Sequence, residues 1–299
     1  MSELIDNATI AQIKDLALRT RILAQGAVHG HHNSALRGVG IEFNQFRAYE
    51  PGDELSKIDW KLFARSDRYY VREAEQESAL NVWSIIDTSE SMREKSQQGQ
   101  WHKLAFAQTL VASIGYLANQ QGDAIGLLGI NSENLEYLQA GTGQRHYHQY
   151  LLTVDNLAAQ HQFTHWEAFI PYVIRARQHS LVVLVSDFYQ TQEEILGLIE
   201  SLSSTHCQVL AIQLETNDEV NFNYSGEIEF LERETQRKQK VSADAIREVC
   251  LANRKAFNHQ LGVSLAKTDV HRLRVNIDEP IVSAVRQMSS LLGNARRMR

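Results

Sequence analysis

The chain has 299 residues, of which 43 % are hydrophobic and only 3 are proline, so it holds ample material for a core and no composition typical of disorder. Its formal net charge of −6 argues against a nucleic-acid binder, which needs a concentrated basic face. At this length the chain holds one large domain or two small ones.

Residues 8–26 read as one amphipathic helix, with Ile10, Ile13, Leu16, Leu18 and Leu23 roughly along one side. The polar stretch Gly30-His31-His32-Asn33-Ser34 reads as a loop. Residues 38–79 are richer in aromatics and charges and end in the alternating, strand-like run 69–75. Within them Pro51-Gly52-Asp53 predicts a turn and Ile58-Asp59-Trp60 a half-buried strand or a helix start. Arg47, Asp53, Asp59 and Arg65 are expected to pair with one another as packing ion pairs rather than to carry catalysis.

From residue 80 apolar strands alternate with amphipathic helices. A strand over 80–86 precedes a helix over 101–120, where Leu104, Ala107, Leu110, Val111 and Ile114 recur at helical spacing. Strands follow at 124–130 and 135–139, then helices at 145–158 and 165–177. Leu181–Val185 has no polar interruption, as expected of a strand buried on both faces of a parallel sheet. A helix over 192–203 and a strand over 208–214 repeat the unit. Two short runs, 227–232 and 237–241, predict a hairpin, and a helix at 243–260, a strand at 271–277 and a helix at 279–292 finish the chain. This alternation predicts an α/β, doubly wound, mostly parallel sheet. The segments divide as a helix and loop over 1–33, an accessory subdomain over 34–79 that could pack with the hairpin region 219–242, and the main domain over 80–299.

Cys207 and Cys250 are the two cysteines and neither has a paired metal spacing, which fits a reducing compartment. Asp6, Lys14, Asp15, Arg19 and Arg21 interrupt any signal-peptide pattern, and no apolar stretch approaches the roughly 20 residues needed to span a bilayer. A soluble, cytoplasmic protein is expected. His29, His31 and His32 lack a second spaced pair of zinc ligands. The chain has no P-loop lysine motif, no Gly-x-Ser-x-Gly elbow and no His-Glu-x-x-His.

The chemistry concentrates where strand 80–86 runs into Asp87-Thr88-Ser89-Glu90-Ser91-Met92. That turn places one carboxylate and two hydroxyls at the end of a buried strand, a set of hard oxygens suited to Mg²⁺ or Mn²⁺. Asp187 closes the second apolar strand in Val185-Ser186-Asp187-Phe188. Two carboxylates ending strands about 100 residues apart converge only at the carboxyl edge of a doubly wound sheet. The competing reading is that each aspartate caps the helix that follows it.

This arrangement resembles the metal-ion-dependent adhesion site of von Willebrand factor type A domains. The resemblance implies Asp87, Ser89, Ser91, a loop threonine and Asp187 as the ion's residues, the hydroxyls binding directly and the carboxylates mainly through water. Thr164 best matches the threonine, with Thr142 in Gly141-Thr142-Gly143 as its rival. Upstream, Gly38-Val39-Gly40-Ile41-Glu42-Phe43, Arg47-Ala48-Tyr49-Glu50-Pro51-Gly52-Asp53, Ile58-Asp59-Trp60-Lys61, Ala64-Arg65 and Tyr70-Val71-Arg72 follow in order. Together they resemble the bacterial domain-of-unknown-function family fifty-eight, densely over residues 34–92 and loosely beyond. Members carry a type A domain and are typically encoded beside MoxR-type AAA+ ATPases. The resemblance therefore implies a non-enzymatic interaction module that uses Mg²⁺ or Mn²⁺ and acts with such an ATPase on a client protein complex. A metal-dependent hydrolase and a structural type A domain with a silent site are the rival readings.

Overall fold

The computed structural model describes residues 7–29, 43–50, 58–74, 80–97, 99–163, 171–172, 180–190, 192–203, 207–232, 237–268 and 270–297. The chain divides into two compact units, Met1–Asn33 with Ala79–Arg299, and Ser34–Ser78.

The larger unit begins with α1 (Asn7–Gln12) and α2 (Leu16–His29) rather than one continuous helix. The break is built from side chains: Asp15 Oδ1 accepts the Leu18 N–H at 2.9 Å, and the Arg19 guanidinium donates to the Ile13 carbonyl from Nε at 3.0 Å. Asp15 thus caps the second helix, while Arg19 satisfies a carbonyl stranded at the end of the first.

In the smaller unit β1 (Phe43–Ala48) pairs antiparallel with β2 (Tyr70–Ala74), and α3 (Trp60–Ser66) lies between them in sequence. Asp59 decides for the helix start: its Oδ1 accepts from the backbone of Lys61 and Leu62 at 2.9 and 3.0 Å. The turn expected at Pro51-Gly52-Asp53 lies outside the described residues, so the pairing proposed for Asp53 does too.

The sheet of the larger unit is built from β3 (Asn81–Asp87), β4 (Ala124–Ile130), β5 (Leu135–Gly141), β6 (Ser180–Ser186), β7 (Gln208–Glu215) and, after the hairpin β8 (Glu227–Glu232) and β9 (Arg237–Ser242), β10 (Val270–Asn276). Its order is β10-β7-β6-β3-β4-β5, all parallel except the antiparallel edge strand β5. The helices are α4 (Lys103–Gln120), α5 (Gln144–Asp155), α6 (Gln192–Ser203), the short α7 (Asn217–Asn221), α8 (Ala243–Leu265) and α9 (Ile281–Arg297). The helix expected over 165–177 lies largely outside the described residues.

Period-two alternation splits the core into two layers. Val82, Ile86, Leu127, Val183, Val185 and Ile212 share one cluster with α2, α4, α5 and α9; Trp83, Ile85, Leu128, Val182, Leu184 and Ala211 share the other with α6 and α8. Trp83 and Gly126 face each other across β3 and β4, and a Cβ on Gly126 would lie 2.7 Å from the indole ring. This three-layer architecture is the von Willebrand factor A-like fold expected from the sequence.

Candidate metal centre

The chain leaves β3 for β4 and β5 on one side, then returns to β6 on the other, so strand order reverses between β3 and β6. Carboxyl ends of strands at such a reversal form a natural crevice. Ile86 stands beside Val185 in the register, which brings Asp87 and the Ser186-Asp187 pair to neighbouring strand ends. Asp87, Ser89 and Asp187 are all buried, while Ser91 is half-buried.

Asp87 is anchored at both oxygens. Oδ1 accepts the Ser89 N–H at 2.8 Å; Oδ2 accepts Ser186 Oγ at 2.6 Å and Gln190 Nε2 at 3.2 Å. Ser89 is the N-cap of a single 3₁₀ turn, Glu90–Arg93, but makes no capping bond with its side chain. Its hydroxyl instead hydrogen-bonds with that of Ser91, the two oxygens 3.0 Å apart. Adjacent vertices of an octahedron with metal–oxygen bonds of about 2.1 Å are also about 3.0 Å apart, so the hydroxyls have the spacing of two ligands of a Mg²⁺-sized ion.

The turn is held from outside as well. The Thr88 N–H donates to the Ile130 carbonyl at 2.9 Å, and Asn131 Nδ2 donates to Thr88 Oγ1 at 3.2 Å. The segment after α5 lies against it: Gln160 N–H donates to the Thr88 carbonyl at 2.9 Å and Glu90 N–H to the His161 carbonyl at 2.8 Å. Glu90 itself forms an exposed pair with Arg93 at 3.0 Å.

Asp187 is not a helix cap. α6 begins at Gln192, and Asp187 Oδ1 accepts the Tyr189 N–H at 3.3 Å in a local turn. Phe188 between them has a φ of +54°, and its N–H donates to Ser186 Oγ at 3.0 Å. The left-handed region is costly for an aromatic residue, so the loop tolerates strain to keep Ser186 and Asp187 in place. Of the two threonines, Thr164 lies outside the described residues. Thr142 follows Gly141, which pairs with Ile125 near the start of β4, whereas Asp87 stands beside Ile130 at its end. Five residues of strand, about 16 Å, separate Thr142 from the turn along the sheet, so it is at the wrong edge to serve as a ligand.

Lys103, the first residue of α4, is completely buried and donates from Nζ to Asp187 Oδ2 at 3.1 Å and Glu219 Oε1 at 2.6 Å. Its Nζ also lies 4.8 Å from the centre of the Tyr189 ring. Beyond Glu219 stand Arg254, Glu215 and Arg274, with Arg254 and Arg274 each 2.8 Å from Glu215. Arg272 belongs to the same group through its charge interactions with Glu215, Arg254 and Arg274, so four cations stand against Asp87, Asp187, Glu219 and Glu215.

The consequences differ by group. Burial, then the Asp187 charge, pushes the Asp87 carboxyl up to about 6, against the opposing bonds from Ser186 and Ser89. Burial alone would push the Lys103 ammonium down, but Asp187 and Glu219 outweigh it and hold it above the ordinary lysine range. Burial likewise raises Glu219, and Lys103 overrides it to hold that carboxyl below its usual range.

Among the described residues no group of three or more His, Cys, Asp or Glu could hold a metal ion. The candidate set depends on hydroxyls instead, and its hard-oxygen chemistry fits Mg²⁺ or Mn²⁺. Ser186, Gln190, Lys103 and Glu219 do not follow from the turn motif. Only Lys103 leaves a trace in the sequence, as a lysine at i−4, i−7 and i−11 from the apolar Ala107, Leu110 and Ile114.

An uncharacterized protein of Mycobacterium tuberculosis is 25% identical over 242 residues, 80% of this chain and 75% of that protein. Among solved structures, BatB from Bacteroides thetaiotaomicron gives a TM-score of 0.49 at 14% identity, covering 72% of this chain and 100% of that one. The VWA domain of SpRpn10 gives 0.43 at 12% identity, covering 70% and 94%. Among the described residues no helix is long and apolar enough to cross a membrane. The family model described as "Protein of unknown function DUF58" matches residues 45–260, and the chain belongs to that family.

Proposed function

We propose that this protein is a non-enzymatic, cytoplasmic interaction module that recruits an acidic group of a partner through a divalent ion. Its partner in this reading is a MoxR-type AAA+ ATPase, the kind of enzyme associated with its family, and the pair assembles or remodels a client protein complex. The observation that carries the metal is the pair of hydroxyls, Ser89 and Ser91, 3.0 Å apart above a buried aspartate at the switch in strand order. Ser89 and Ser91 would hold Mg²⁺ or Mn²⁺ directly, with Asp87 and Asp187 acting mainly through water. Thr164 would supply a third hydroxyl: Gln162, two residues before it, accepts the Ser132 N–H at 2.8 Å beside the turn.

At the strand ends Asp87 and Asp187 have Lys103 as their single cation among the described residues, and that local excess of one negative charge supports a divalent ion there. Binding one would turn that excess into a single positive charge, which a partner carboxylate could neutralise through a charge-assisted contact. A hydrolase using the same ion would need a base beside it, and Glu90, the one acid within the turn besides Asp87, is engaged with Arg93 instead. Copurification with the ATPase is the test. Binding should be retained in Mg²⁺ and lost in EDTA and in Ser89→Ala; full binding in EDTA would remove the ion from the mechanism.

A further inference from the structure

Lys103 is a completely buried cation at the site to which the reading above gives no role of its own. We propose that it is a built-in counter-cation for Asp187 that competes with the divalent ion, keeping the site weak until a partner carboxylate arrives. The inference rests on the metal reading of Asp87, Ser89 and Ser91.

Three observations argue against a purely structural role. First, a lysine in the opening turn of α4 opposes the helix dipole, which favours acids there, so the position is not chosen for the helix. Second, Glu219 is well supplied without it. Glu219 Oε2 accepts the Thr216 N–H at 2.8 Å in a capping box, Oε1 accepts Tyr189 Oη at 2.9 Å, and Arg254 stands 4.0 Å away. Asp187 is not: among the described residues Lys103 is its single cationic partner. Third, replacing a buried ion pair with well-packed apolar groups is often neutral or stabilising, so stability alone is a poor reason to keep one.

The geometry gives the competition a direction. The bond to Asp187, at 3.1 Å, is the longer of the two, and that to Glu219, at 2.6 Å, the shorter. An ion held between Asp87 and Asp187 would sit beside an ammonium in a buried, weakly screened site, where like charges repel strongly. The ammonium can give up Asp187 while keeping Glu219 and the face of Tyr189. A partner carboxylate would add the negative charge that tips the balance toward the ion.

The experiment is Mn²⁺ titration calorimetry at pH 7.5 on the full chain, with folding checked by circular dichroism. Lys103→Met removes the charge. Because it also removes the cation nearest to Glu219, Lys103→Met/Glu219→Gln is measured beside it. Both should bind Mn²⁺ at least tenfold tighter than the wild type, and adding Asp87→Ala to Lys103→Met should abolish the gain. Binding by the variants alone would support the proposal most strongly. Binding by the wild type with equal or weaker affinity in the folded variants would overturn this inference and leave the metal site standing. No binding by any of them at millimolar Mn²⁺ would overturn both.

Discussion

Replacing Asp87 with asparagine should make the metal-free protein more stable at neutral pH, although it removes a buried carboxylate with three hydrogen-bond donors. Asp87 rises from an ordinary 3.8 to about 6 in the folded chain, for reasons of burial first and the Asp187 charge second. A raised carboxyl binds its proton more tightly when folded. Its contribution is therefore fully present below pH 3.8 and is lost as pH rises through about 6. Above that, the ionised group costs about 3 kcal/mol relative to the unfolded chain. The asparagine amide escapes that cost and can still accept the Ser89 N–H. Its amino end would face Ser186 and Gln190, which must reorient, a loss of about 1–2 kcal/mol. The balance in EDTA is a gain of about 1–2 kcal/mol at pH 7.5 that turns into a loss at pH 4. Urea denaturation of both proteins at the two pH values measures it, read from the midpoint at constant slope. Adding Mn²⁺ should then stabilise the wild type and not the variant. A variant less stable than the wild type by 2 kcal/mol or so at both pH values would refute the reasoning, because Asp87 would then be a structural anchor and not a strained charge.

Two further outcomes follow from the geometry. Thr164→Val should weaken Mn²⁺ binding at least tenfold in calorimetry while Thr142→Val leaves it unchanged; the reverse pattern would overturn the choice of loop residue. Gly126→Ala should cost about 1–3 kcal/mol in chemical denaturation, as overpacking typically does, because its methyl group would lie 2.7 Å from the Trp83 ring; an unchanged midpoint would mean that the indole moves freely.

The parts of the fold legible in sequence were those where one physical signal dominates. Leu181–Val185 has no polar residue, and β6 (Ser180–Ser186) is buried along its whole length. The turn from Asp87 to Ser91 was legible because β3 fixes its direction and the residue spacing does the rest. The split between α1 and α2 was not, because it depends on Arg19 reaching back to Ile13, a contact that periodicity does not contain. Lys103 stayed hidden for a related reason: a single lysine on an apolar stripe reads as a solvated end until Asp187 and Glu219, 84 and 116 residues away, are brought to it. Thr142 looked plausible in one dimension because its loop sits between the right strands. The reversal of β5 carries it to the opposite edge.

The strand order has a consequence for how this molecule meets others. β10 closes one side of the sheet, and a bare side strand invites a neighbouring chain to continue the ladder. Here it carries Arg272 and Arg274. Arg274 is engaged with Glu215 at 2.8 Å, and Arg272 donates to the Asn258 carbonyl at 3.0 Å. A second chain continuing the ladder there would meet two charged side chains already held against β7 and α8. Growth into stacked or swapped assemblies is thereby discouraged along that side.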